Sequence, residues 1–281
     1  INADDLSDLS EISFNNLDNN SFVYFVNTIM SQAFSMNIVN NSSNIQLTNF
    51  THGNYFTNVT LNNTSQFIIS DVNDIKNSIL YINIDNSSSF TVTNSSAISF
   101  NNPMQQIFID NASIVTFANM VTWIGFQYNK ICNNSSVYFD TDTINSFDNN
   151  EINNQSTIFS NSGTVWNSDI SYNNIFHSYI DLIGGRTNND ITHCEINDSF
   201  VTFNTCDGFT HNYLKNAIVE FANSCIISSC QILNLTATIK ISQSNKQAIG
   251  NVMSNMEADV DMATDYNAGT NTITFDTSLK D

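Results

Sequence analysis

The feature that most limits how this chain can fold is a frame that recurs through its second half. An apolar residue, four mostly polar residues and a second apolar residue recur at positions 126–131, 147–152, 170–175, 191–196, 209–214 and 227–232. A polar link and an alternating strand follow each frame: Val137-Tyr-Phe139, Ile158-Phe-Ser160, Ile180-Asp-Leu182, Val201-Thr-Phe203, Val219-Glu-Phe221 and Ile239-Lys-Ile241. By subtraction, the opening residues Phe126, Phe147, Ile170, Ile191, Phe209 and Ile227 lie 21, 23, 21, 18 and 18 residues apart. A period of roughly 20 residues signals a solenoid, because so short a unit cannot bury its apolar face without a neighbour. Strands in every unit make it a β-solenoid. Alternation sends Val201 and Phe203 inward and Thr202 outward, and likewise Val219 and Phe221 bracket an outward Glu220.

The first half carries the same unit in looser form. A motif of the type Asn-x-Ser-x-apolar leads into strands at Val23, Ile45, Phe67, Phe90, Val115 and Val137, which are 22, 22, 23, 25 and 22 residues apart. The expected architecture is all-β, a single-stranded parallel β-helix of ten or eleven coils with terminal caps. At about 4.8 Å per coil it would form a rod about 50 Å long. Residues 1–20 are expected to be an N-terminal cap or first irregular coil, with a short helix over 6–12 as one form of the cap. Residues 21–241 are the β-helix, and the repeat is expected to stop after Ile241. Residues 242–281 read as a C-terminal cap or oligomerisation segment. Val252, Met253, Met256 and Val260 there have helical spacing, and a turn at Asn267-Ala-Gly269 precedes a strand over 272–275.

The fourth frame position holds Asn129, Asn150, Asn173, Cys194, Asn212 and Cys230. Asn tolerates the left-handed conformation that a sharp corner needs, so these residues are expected to take it and to bond the Asn one coil away. With its apolar-x-x-Asn-x-apolar coils, the region of about residues 20–241 resembles the right-handed parallel β-helix of the pectin-lyase-like fold. That group includes polysaccharide lyases and hydrolases, bacterial surface proteins, and phage tailspikes and fibres. The resemblance implies a right-handed coil. Phage fibres commonly end a β-helix in an intertwined segment, which implies a homotrimer here. The lyase chemistry does not carry over. Those enzymes pair Asp clusters with an Arg or Lys base, and Arg186 is the only Arg in this chain. Across residues 20–241 the paired Asp, Gly-His-Gly and Arg-x-Lys motifs of β-helical polygalacturonases are absent.

Composition narrows the partners. A net charge of −19, with seven Lys and Arg against 26 Asp and Glu, argues against nucleic acid or an anionic membrane as partner. No run of 18 apolar residues is present for membrane insertion. The five cysteines form no Cys-x-x-Cys pair and fit no common zinc spacing, so they read as small buried thiols. No cofactor or metal is expected. The chain opens on Ile1 rather than Met, and the expectation is a piece of a longer protein.

Two constellations could carry chemistry. Asp181 and Glu220 fall on one outward row two coils apart, roughly 10 Å between backbones. Carboxyl groups about 6.5–9.5 Å apart serve inverting glycoside hydrolysis, one as acid and one activating water. Tyr138 and Phe159 on the same row could stack on sugars. His193 and His211 share the third frame position in adjacent coils, about 5 Å apart, but a metal needs a third ligand, and Asp207 or Glu195 is only a nominal choice. The functional expectation is a structural virion fibre or tailspike-like protein at the virion surface. It would assemble with itself and other virion proteins and attach to a host-surface glycan or protein. The alternatives are a bacterial surface adhesin and a secreted polysaccharide-degrading hydrolase using Asp181 and Glu220.

Overall fold

The computed structural model describes residues 2–5, 9–13, 16–52, 56–71, 74–75, 79–95, 104–120, 125–141, 143–161, 164–166, 169–182, 186–187, 190–203, 206–221, 226–228, 231–233, 238–241, 247–254 and 273–275. Among these residues there is no helix, and every strand pairing is parallel, giving a β-solenoid. Each coil contributes strands to three walls. The first wall stacks Met104, Phe126, Phe147, Ile170, Ile191, Phe209, Ile227 and Ala248 in register. The second stacks Val39, Leu61, Ile84, Ile109, Ile131, Ile152, Ile175, Ile196, Leu214, Ile232 and Met253. The third runs unbroken from Val23 through Ile45, Phe67, Phe90, Val115, Val137, Ile158, Ile180, Val201 and Val219 to Ile239.

The core is the column these walls enclose. Phe67, Phe90, Phe117, Phe126, Phe139 and Phe147 are among its fully buried side chains. Phe117 stacks on Phe139 at 5.7 Å and Phe126 on Phe147 at 5.8 Å. Burying one such ring contributes about 1.5–3 kcal/mol, and only a neighbouring coil can supply the burial. Cys132, Cys194 and Cys206 are free and buried, as expected of them, while Cys225 and Cys230 lie outside the described residues.

The corner between the first and second walls corrects one expectation. The left-handed residue is the third of the frame, not the fourth: Tyr128, Asn149, Tyr172, His193 and His211 have φ of 54°, 55°, 54°, 54° and 55°. The corner residue turns its side chain out to solvent, and the next residue turns inward among corner amides and carbonyls that lack partners. Asn fills that inner place because one side chain supplies both a donor and an acceptor. Asn150 Oδ1 accepts the Asn129 backbone N–H at 3.1 Å, and its Nδ2 donates to Phe126 O and to Asn173 Oδ1, each at 3.0 Å. Asn129, Asn150, Asn173 and Asn212 are all buried.

A second ladder lies at the corner before the third wall. Ser65, Ser88 and Ser113 are buried, and each donates its backbone N–H to the serine Oγ one coil on, at 3.2–3.3 Å. This is the physical content of the Asn-x-Ser motif. Asn and its successor make the turn in left-handed geometry, as at Asn86 and Ser87 or Asn154 and Gln155, and the serine satisfies the backbone behind it.

Strands extend towards both ends of the chain. Asn2–Asp4 pairs with Tyr24 to Val26 and Leu9–Ser13 pairs with the segment from Met30 to Ser35, as a first coil would; of the 6–12 helix option, 9–12 is strand and 6–8 lie outside the described residues. The repeat also continues past Ile241. Gln247–Ser254 is a strand whose Ala248 and Met253 sit in register with Ile227 and Ile232. Val252 and Met253 are therefore extended rather than helical; Met256 and Val260 lie outside the described residues. The coil edge before them presents unpaired N–H and C=O groups, which a strand satisfies and a helix does not. Ile273–Phe275 is a strand, as expected, and pairs parallel to the same segment. The Asn267-Ala-Gly269 turn lies outside the described residues.

Candidate functional site

The outer surface of the third wall brings the sequence candidates together. Its central row runs Thr116, Tyr138, Phe159, Asp181, Thr202, Glu220, Lys240 in register. The row beside it runs Ile114, Ser136, Thr157, Tyr179, Phe200, Ile218. Tyr138 and Phe159 lie 6.2 Å apart, and Tyr179 and Phe200 stack at 5.4 Å with planes 1° apart. Side chains one coil apart on a flat parallel wall meet in this way because the register fixes their spacing near 4.8 Å.

Asp181 and Glu220 share this row with Thr202 between them. Thr202 occupies an outward position yet is only 5% exposed. Its hydroxyl donates to Asp181 Oδ1 at 2.8 Å, and the Tyr179 hydroxyl donates to Asp181 Oδ2 at 3.3 Å. Partial burial raises the Tyr179 phenol above its ordinary range, with the negative charges of Asp181 and Glu220 adding to the shift. The two carboxylates thus share one row, and both oxygens of Asp181 are already engaged on it.

A feature absent from the sequence reading lies at the adjoining corner. Up to Asn154 and Gln155 the turn into the third wall uses two left-handed residues; from His177 it uses one, as at Asp198 and Asn216. The link shortens accordingly, from five residues between Ile152 and Ile158 to four between Ile175 and Ile180. Where the wide corners meet the narrow ones the surface steps inward, leaving a cleft of about 700 Å³. Asn134 and Gln155 stand on its wide side and His177, Tyr179, Asp198 and Phe200 on its narrow side. His177 Nε2 lies 3.7 Å from Asp198 Oδ2. The volume falls within the range of small-ligand sites. The residue counts of the links were the signal that could have found it.

His193 and His211 do come together, with ring centroids 5.2 Å apart and planes 5° apart, and Tyr172 stacks on His193 at 4.9 Å. Parallel rings hold their nitrogen lone pairs in separate parallel planes, which do not meet at one ion. Among the described residues no group of three His, Cys, Asp or Glu side chains is placed to hold a metal. His193 Nδ1 is instead in hydrogen-bond contact with Thr192 Oγ1 at 2.9 Å.

No protein-family model matches this chain, and neither a curated protein nor a solved structure matches it.

Proposed function

We propose that this chain is the shaft of a virion fibre or tailspike and attaches to a host surface through the side of its solenoid. The observation that carries the reading is the line of exposed rings on the third wall. Tyr138, Phe159 and Tyr179 are 38%, 38% and 41% exposed on a strand surface held rigid by coils on either side. Rings displayed this way cost little entropy to bind against and favour flat amphipathic partners such as glycans or protein loops. The strong negative charge and low Lys and Arg content suit neither nucleic acid nor anionic lipid.

In this reading the chain assembles as a homotrimer, with other virion proteins mounting it. Light scattering on the purified chain should give three times 31.4 kDa, about 94 kDa. Three copies carry 3 × (−19) = −57 charges, so assembly should tighten as salt screens their repulsion. A 31.4 kDa monomer at micromolar concentration in 0.15 M salt would overturn the fibre and leave a surface adhesin.

The register of Asp181 and Glu220, two rungs apart beside aromatic rings, favours a second reading as a polysaccharide hydrolase. Asp181→Asn keeps an acceptor for Thr202, so in that case it should abolish glycan cleavage at an unchanged melting temperature. Unchanged cleavage removes the assignment.

A further inference from the structure

We propose that the cleft at the His177 corner is a saccharide subsite that takes an uncharged sugar ring. The inference rests on the attachment reading and gives its ligand a chemical class. The cleft is built into the fold, since the walls on both sides are fixed by register and only the corner changes length. Phe200 covers one face of the Tyr179 ring. In the preceding coil the register neighbour of Tyr179 is Thr157, which has no ring to stack on it, and Tyr179 stays 41% exposed where it lines the cleft. That leaves an aromatic face at the mouth of the cleft, suited to the C–H face of a pyranose.

The opposite rim is amide. Asn134 and Gln155 each offer a carbonyl oxygen and two N–H donors, which match sugar hydroxyls that both give and accept hydrogen bonds. Charge decides between classes of sugar. No Lys or Arg is among the residues described at the cleft, Asp198 lines it with His177 Nε2 3.7 Å from its carboxylate, and Asp181 accepts from the Tyr179 hydroxyl. A uronate or sialic acid carboxylate would enter against these like charges, whereas a neutral hexose or N-acetylhexosamine would not.

The test is the 281-residue chain on an array of neutral and acidic glycans. The best retained neutral glycan is then titrated by calorimetry against the parent, Tyr179→Ala and Gln155→Ala. The expected result is retention of neutral glycans over sialylated and uronate-bearing ones. Affinity should fall at least tenfold in Tyr179→Ala and severalfold in Gln155→Ala, with Gln155→Ala keeping the parent melting temperature. Retention of no neutral glycan, preference for acidic glycans, or parent affinity in both variants overturns the proposal. The mass of the same sample separates the two ideas. A monomer that binds neutral glycan keeps the subsite and loses the fibre, and a trimer that binds none does the reverse.

Discussion

At the scale of single residues, the buried asparagine column is where the fold is most exposed to damage. Asn150→Ala removes the acceptor for the Asn129 N–H and a donor to the Phe126 carbonyl, both in the interior. A buried group left without a partner costs about 1–3 kcal/mol, so the substitution should destabilise by about 3 kcal/mol in urea. Asn161→Ala loses a bond to Asp140 at an exposed position and should cost under about 1 kcal/mol. Equal losses would show that the inner ladder is no more than packing. Cys194 interrupts this column. The Asn173 amide faces its sulfur at 3.9 Å, and the thiol reaches the Ile170 carbonyl at 3.6 Å, both weaker than the amide bonds above. Cys194→Asn restores the pattern and should raise stability by about 1 kcal/mol. A lower melting temperature would mean that the column narrows at this coil.

At the scale of elements, the strand entering the first wall carries a pH dependence. Burial raises the Asp190 pKa above the ordinary carboxylate range, and the charges of Asp169 and Asp207 add to it, while a hydrogen bond from the Gly208 N–H opposes it. A carboxyl whose folded pKa is raised opposes folding when ionised. Its cost is absent below the unfolded pKa near 3.9 and present above the folded one. Asp190→Asn should therefore raise the melting temperature at pH 7, with the gain vanishing below about pH 3.5. A gain that persists at low pH would point to packing instead.

The walls were legible because inward residues such as Val201 and Phe203 recur at fixed intervals on a period of two, and a slip of one would expose them all. The same logic placed Asp181 and Glu220 on one row. The corners were less legible. The tolerance of Asn for left-handed geometry pointed to the fourth position, yet Tyr128 and Tyr172 occupy that conformation one residue earlier, and tyrosine does not signal it. The strand at Gln247–Ser254 was missed because the apolar spacing of Val252 and Met253 fits a helix as well, and only the coil edge waiting for a partner decides. The cleft depends on how two corner lengths meet, which residue types alone do not state.

At the scale of the whole molecule, the parallel ladders give the solenoid a direction. Successive coils are joined by hydrogen bonds such as Asn44 N to Ser21 O and Gln66 N to Ser43 O, all running along the stacking axis. A pull along that axis meets these bonds one coil at a time rather than all at once. Each released coil of 22 residues, such as that from Val23 to Ile45, would pay out about 75 Å of chain where it had filled about 4.8 Å. A tethered molecule should then lengthen in steps of about 70 Å under tension, and one full-length rupture would contradict this. A rod held by such stacked bonds is stiff when pushed and yields in small instalments when pulled, so it would absorb a tug at an anchored surface before its anchor let go.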